Sequence, residues 1–491
     1  MTENSQRESV LGSFFYKAAE SFGNQGIAFV VNIILARLID PSDYGILTLL
    51  AIFIAIARVL MQSGLSTALV QKPDVQDIDY SGSFWFSFAL SGVLYLLLFI
   101  FAPSIAKFYN QPNITSVMRV LALMLFPGAL SVVQNAIVAR ERKFSQLMRS
   151  SLLATLISGI IGIAMAYAGQ KYWALVAQQL SMQFLLVFFL WRKLDWLPKF
   201  EIDFKRLGAL LGFGWKLLVS GLFDVIYENL RGLIIGKKFN ESDLGFYNRG
   251  RQFPELIVSS INNTIQSVLL PLLSEYQSKA DEFRAYMKKS LQLSTYVVFP
   301  MMMGLAVLAE PIVRVLLTDK WLACVPYLQL ACLDFALFPI HTANLQAINA
   351  IGRSDVFLKL EIIKKTYGIL ILVASVIFFD SVLAIVAGAT ISSIISAFVN
   401  AFPAGKLFSY PIKNQCKDML SNILASLFMG VMIYFSKFIS LPIFPKLILQ
   451  IIIGIVAYFA YSAIFKLESF NTVKTIIQRI RKRKNNENAT I

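Results

Sequence analysis

Basic residues interrupt long apolar stretches of this 491-residue chain at Lys17, Arg58, Arg119, Lys216, Arg231, Arg249, Arg251, Lys364 and Lys365. A charge in such a setting is kept where it faces water, a partner or an anion. Arg58 lies about fourteen residues into an apolar helix, roughly 20 Å along an axis rising 1.5 Å per residue. Its side chain does not reach an interface from there. Two readings stay open for it: a cavity-facing anion site or an ion pair with another helix. A guanidinium suits a phosphate or pyrophosphate because its planar fork engages two oxygens at once.

Lys17 and Lys216 occupy equivalent places as Tyr16-Lys17 and Trp215-Lys216. Each either snorkels to an interface or helps to grip an anion. Arg231, Arg249 and Arg251 fit the far end of a cleft as well as they fit its interface. Arg119, Lys364 and Lys365 lie near helix ends, where anchoring is the expected role. Asp224 and Glu228 are one turn apart on one face, with Arg231 following. They form either a local ion-pair cluster or a cation or proton site that couples transport to an ion gradient. The candidate site is therefore Arg58, Lys17, Lys216, Arg231, Arg249 and Arg251 for binding, with Asp224 and Glu228 for ion coupling.

No catalytic set stands out. Three Cys (Cys324, Cys332, Cys416) and one His (His341) argue against a zinc site or a disulfide framework. His341 stands beside Pro339 and reads as a satisfied polar residue in a helix break. There is no Gly-rich phosphate loop, so ATP is not the expected direct energy source, and no cofactor is expected.

The elements that carry these residues follow from composition. The chain is 57% hydrophobic and 15% charged, with a mean hydropathy of +0.64. A soluble chain usually has about 25% charged residues. The excess apolar surface implies an integral membrane protein. Apolar runs near 14–38, 44–69, 81–102, 115–138, 148–168 and 172–191 have the length of membrane helices, not barrel strands. A second set lies near 207–236, 244–273, 289–309, 323–350, 357–378, 381–402, 416–436 and 441–466. The N-terminal MTENSQRESV has no cleavable-signal pattern, so the first span is expected to insert itself. Loops sharing a side with the termini carry about three times as many Lys and Arg as the opposite loops, which places both termini in the cytoplasm. Topology thereby accounts for the net charge of +16, and no nucleic-acid partner is implied. After residue 466, a basic stretch with Val473, Ile476, Ile477 and Ile480 at helical spacing reads as a helix on the anionic leaflet or a docking segment.

The chain also repeats itself. Ser42-Asp43-Tyr44-Gly45 recurs as Ser242-Asp243-Leu244-Gly245, Phe126-Pro127 as Phe338-Pro339, and Ala174-Leu175-Val176-Ala177 as Ala384-Ile385-Val386-Ala387. Gln134 falls opposite Gln346. Six spans followed by six, with two appended, insert in parallel. The expected fold is all-α integral membrane, with about 14 transmembrane helices as two parallel six-helix lobes plus two extra helices. Its divisions are 1–200 for the N-terminal lobe, 201–412 for the C-terminal lobe, 413–466 for the two extra helices and 467–491 for the basic tail. Pro127 and Pro339 kink equivalent spans.

The run Leu35-Ala36-Arg37-Leu38-Ile39-Asp40-Pro41 through Tyr44-Gly45, then Gly64-Leu65-Ser66-Thr67-Ala68-Leu69-Val70-Gln71, resembles bacterial polysaccharide exporters. So do Lys320-Trp321 with Pro326-Tyr327-Leu328-Gln329-Leu330, and the stretch from Leu270-Pro271 to Tyr276. Over nearly its whole length the chain is similar to the Wzx-type flippases, on the colanic-acid and teichuronic-acid exporter branch. Their superfamily (MOP) also holds the MATE drug exporters and the lipid II flippase. The resemblance implies alternating-access transfer of an undecaprenyl-pyrophosphate-linked oligosaccharide across the bacterial inner membrane, for surface polysaccharide or lipopolysaccharide synthesis. It implies a cationic cleft between the lobes, a groove at the last two spans for the lipid tail, and no enzymatic step. Partners implied are the lipid-linked oligosaccharide, the membrane, and a polysaccharide polymerase with its chain-length regulator. Two alternatives are a cation-coupled MATE-type drug exporter and a membrane polysaccharide polymerase or ligase. The excess of intramembrane basic residues speaks against the first, and the short outward loops against the second.

Overall fold

A computed structural model describes residues 23–475 and residue 478, so Lys17 and the basic cluster Arg479–Lys484 lie outside the described residues. Every regular element among the described residues is a helix. In hydrocarbon a helix satisfies its own backbone polar groups, which an open strand does not. Twelve helices among the described residues are long and apolar enough to cross a membrane. The helix Gly23–Leu38 (α1) and the 25-residue helix Ser354–Phe378 stand where the first and eleventh spans are expected. The second of these carries Glu361, Lys364 and Lys365 in its first half.

The chain divides into two compact units, Met1–Gly245 and Phe246–Ile491. The first unit contains α1, α2 (Pro41–Gln62), α3 (Leu65–Gln71), α4 (Asp77–Tyr109), α5 (Ile114–Leu121), α6 (Leu125–Arg140), α7 (Phe144–Tyr167), α8 (Tyr172–Trp191) and α9 (Phe204–Lys238). Leu65, Leu69, Phe84, Val133, Ala136, Leu190 and Leu207 form one buried cluster, which ties α3, α4, α6, α8 and α9 together. Arg140 closes the end of α3, donating to the carbonyl oxygens of Leu69 (2.9 Å), Val70 (3.1 Å) and Lys72 (2.5 Å). Cations near a helix C-terminus satisfy its orphan carbonyls in this way.

The sequence reading opens the C-terminal lobe at residue 201, whereas the compact units divide after Gly245. The reason is α9, which packs on α2, α3 and α4. Gly64, in the turn after α2, has φ +68°, and a Cβ there would come within 2.7 Å of the Gly214 carbonyl oxygen. Two glycines thus let α9 touch that turn backbone to backbone. At the start of α9, Arg206 donates from Nε and Nη2 to the two carboxylate oxygens of Asp79, at 2.8 and 2.6 Å. Lys72 binds the same carboxylate at 2.9 Å.

The chain enters the second unit within α10 (Glu241–Glu275). There follow α11 (Ala280–Val307), α12 (Ala309–Leu317), α13 (Val325–Ala336), α14 (Phe338–Ala350), α15 (Ser354–Phe378), α16 (Val382–Leu407), α17 (Ile412–Phe435) and α18 (Ile443–Ile464). Leu269, Leu273, Met287, Leu291 and Ala347 are core residues of α10, α11 and α14. Polar locks fix the last two helices on α11. Asn422 Nδ2 donates to Gln292 O and Thr295 Oγ1, both at 2.9 Å, and the Tyr458 hydroxyl donates to Tyr296 O at 2.7 Å.

The repeat is visible in broken helices. A 3₁₀ turn at Ala122–Met124 separates α5 from α6, just before Phe126-Pro127. The junction of α13 and α14 at Leu337 precedes Phe338-Pro339. Proline lacks the N–H that a continuous helix needs, so both equivalent spans break there.

Candidate functional site

Along α2, Tyr44, Thr48, Ala51, Ala55 and Arg58 recur at intervals of four and three residues, which puts them on one face. That face lines a cavity of about 430 Å³ inside the first unit. Alanines at the middle of the stripe leave the volume open. Asn32 of α1 and Gln178 and Gln179 of α8 bring amides to the same space, and Val225 of α9 contributes an apolar wall. The Thr48 hydroxyl donates to Tyr44 O at 3.1 Å.

Arg58 is exposed to this cavity, and among the described residues it makes neither an ion pair nor a hydrogen bond. All five N–H donors of its guanidinium are therefore presented to a ligand. A fixed cation in a partly apolar hollow attracts an anion more strongly than it would in bulk water. The surrounding amides and hydroxyls supply donors and acceptors suited to sugar hydroxyls. At about 430 Å³ the cavity falls among small-molecule pockets of about 300–1,000 Å³.

The other predicted site residues are distributed differently. Lys216 lies nine residues before Val225, about two and a half turns, and so on the opposite side of α9. Asp224 and Glu228 are exposed on α9, and Arg231 is half-buried. Among the described residues neither Glu228 nor Arg231 makes an ion pair, so no Glu228–Arg231 bridge forms. Glu228 follows Val225 by three residues and stands near the cavity face of the helix.

Arg249 and Arg251 belong to the second unit. Arg249 is 4% exposed, stacks 4.9 Å above the Trp321 ring and donates to Gln252 Oε1 at 2.7 Å. Arg251 pairs with Glu255 and Asp334, each at 3.6 Å, and lies 5.0 Å from the Phe335 ring centre. Both are engaged by the protein's own groups. His341 is bonded to Asn400 through Nδ1 at 2.9 Å. Among the described residues no cluster of three His, Cys, Asp or Glu could hold a metal ion.

Asn32, Thr48, Gln178 and Gln179 escape a reading that follows charges alone. Their signal was present nevertheless. Two adjacent glutamines inside an apolar 20-residue helix, and a polar-small stripe ending in Arg58, are both costly in lipid and cheap beside a wet cavity.

The family described as polysaccharide biosynthesis protein matches residues 34–326. The succinoglycan biosynthesis transport protein ExoT of Rhizobium meliloti is 22% identical over 356 residues, covering 72% of this chain and 72% of that protein. The teichuronic acid biosynthesis protein TuaB of Bacillus subtilis is 24% identical over 302 residues, covering 61% of this chain and 62% of that protein. Among solved structures, the lipid II flippase MurJ in an inward closed conformation superposes with a TM-score of 0.73. It is 17% identical, and the match covers 93% of this chain and 98% of that one. That likeness shows the fold.

Proposed function

The chain belongs to the family of polysaccharide biosynthesis proteins, and from that membership and the Arg58 cavity we propose a flippase for a lipid-linked oligosaccharide. It moves an undecaprenyl-pyrophosphate-linked unit across the bacterial inner membrane by alternating access, with both termini in the cytoplasm. The observation that carries this reading is Arg58, a cation inside an apolar helix that faces a cavity and has no partner among the described residues. Arg58 takes the pyrophosphate, and Asn32, Gln178 and Gln179 take sugar hydroxyls. The cavity holds the head of the cargo rather than the whole oligosaccharide, while the lipid tail stays in the bilayer. The name of ExoT as a transport protein supports the transport step. No chemical step is assigned to the chain, and the polymerase and chain-length regulator act on the delivered unit.

Glu228 and Asp224 are the groups proposed to couple transport to a cation or proton gradient. Glu228 supports this by standing on α9 about one turn from the cavity-lining Val225.

Depleting the protein in its own host and measuring the sidedness of the lipid-linked oligosaccharide pool tests the proposal. Completed units trapped in the cytoplasmic leaflet support flipping. Units that reach the far leaflet but remain unpolymerised overturn it in favour of a polymerase.

A further inference from the structure

The second unit contains a recess of its own, about 800 Å³, at the end of the helices where α11 gives way to α12 and α17 to α18. Leu330 and Leu333 of α13, Leu383 of α16 and Ile433 of α17 form an apolar wall. At the polar end stand Arg314, Lys437 and Lys446. Arg314 is occupied by Glu310 and Asp319, each at 3.2 Å. The two lysines are not neutralised. Lys446 Nζ donates to the Lys437 carbonyl oxygen at 2.6 Å, and among the described residues no carboxylate reaches either ammonium.

Deeper in the recess is Gln450, one turn beyond Lys446 on the same face of α18. It is 6% exposed, and its amide makes no hydrogen bond to any described residue. Its amide opens onto the recess instead of bonding to protein, and it does so from an otherwise apolar helix. A polar amide at that place, aimed into a hollow with two free ammonium groups at its mouth, points to a polar ligand. The apolar wall specifies the rest of it. Leu333 is 54% exposed and lines the recess, so the wall is continuous with the lipid-facing surface.

We propose that this recess binds an anionic phospholipid drawn from the surrounding bilayer. The headgroup phosphate lies against Lys437 and Lys446, an ester carbonyl accepts from Gln450, and an acyl chain covers Leu330, Leu333 and Leu383. A free phosphate ion has no use for the apolar wall, and a zwitterionic lipid brings a positive group to the two lysines. The site is lined by none of the residues of the Arg58 cavity and does not depend on what the protein transports.

The test uses the full chain purified in detergent, with thermal unfolding and native mass spectrometry. Phosphatidylglycerol is expected to remain bound and to raise the unfolding temperature, while phosphatidylcholine does neither. Lys437→Gln with Lys446→Gln is expected to weaken phosphatidylglycerol binding at least ~tenfold, as loss of charge-assisted contacts does. Lys193→Gln, in the first unit, is the control and keeps the full shift. Gln450→Leu separates a lipid site from a structural one. Without lipid it unfolds at the same or a higher temperature, because no hydrogen bond to a described residue is lost, yet it gains less from phosphatidylglycerol. Equal binding of phosphatidylcholine, or an undiminished shift in both variants, overturns the proposal. So does inorganic phosphate reproducing the whole shift, or undecaprenyl phosphate displacing phosphatidylglycerol at lower concentration.

Discussion

Gly45 and Gly245 meet the same obstacle with the partners exchanged: a Cβ on Gly45 would strike the backbone of Glu241, and one on Gly245 the backbone of Pro41. The two tetrapeptides of the repeat lie 200 residues apart in the chain, yet they pack directly on one another. Residue 45 faces 241 and residue 245 faces 41, as a local two-fold relation between duplicated segments requires. The shared glycine is thus a contact requirement and not a turn signal.

Gly45→Ala is accordingly expected to cost about 1–3 kcal/mol, the range of overpacking against backbone that cannot swing aside. Gly245→Ala should cost about the same. Gly212→Ala, where the new methyl meets nothing within 4 Å, should leave stability unchanged or slightly raised. Thermal unfolding of the three variants checks this, and equal behaviour of all three refutes the contact.

Arg58→Ala should reduce delivery of oligosaccharide to the far leaflet at least ~tenfold without lowering the unfolding temperature, since no partner among the described residues is orphaned. Arg58→Lys should keep part of the activity, because an ammonium supplies charge without the bidentate fork. Export of cargo measured beside thermal stability distinguishes this from Arg251→Ala. The latter breaks the pairs with Glu255 and Asp334 and should lower stability first.

The Asp79 carboxylate is 0% exposed and holds both Lys72 and Arg206. Asp79→Ala leaves two cations facing each other and should cost about 3 kcal/mol. Asp79→Asn should cost less, because its amide oxygen still accepts from the Gln76 N–H, now bonded at 2.9 Å. Denaturant or heat unfolding gives the ranking. An Asn variant as weak as the Ala variant contradicts it.

Exchange of Asp224→Asn together with Glu228→Gln should flatten the dependence of transport on pH and sodium while binding of cargo persists. Vesicle transport across a pH series is the measurement. Unaltered transport with its pH and sodium dependence intact removes ion coupling from these residues.

Much of the fold was legible because bilayer thickness imposes helix length, and apolar runs show it directly. The equivalence of Phe126-Pro127 with Phe338-Pro339 was legible too, and both spans break there. Gln134 and Gln346, matched by the repeat, each leave a side-chain oxygen buried without a partner. The candidate site was legible at one residue, Arg58, whose depth in its span excluded an interface. At Asn32, Gln178 and Gln179 the sequence carried polar groups that are costly in lipid but not their shared space, because they come from α1 and α8 and meet only when those helices close on α2.

Composition, span length, topology signals and the internal repeat are properties summed along the chain, so the amino-acid sequence alone determined the membrane class and the order of helices. The fate of each buried charge was decided by tertiary structure. Arg58, Arg249 and Arg251 are all arginines in apolar helices. One faces a hollow, one an indole ring and one a carboxylate, because a charge takes its energy from whichever helix happens to stand opposite. The allegiance of α9 was decided the same way, by the contact of its own Gly214 with Gly64 after α2 and of its Arg206 with Asp79 of α4, both far from α9 in sequence.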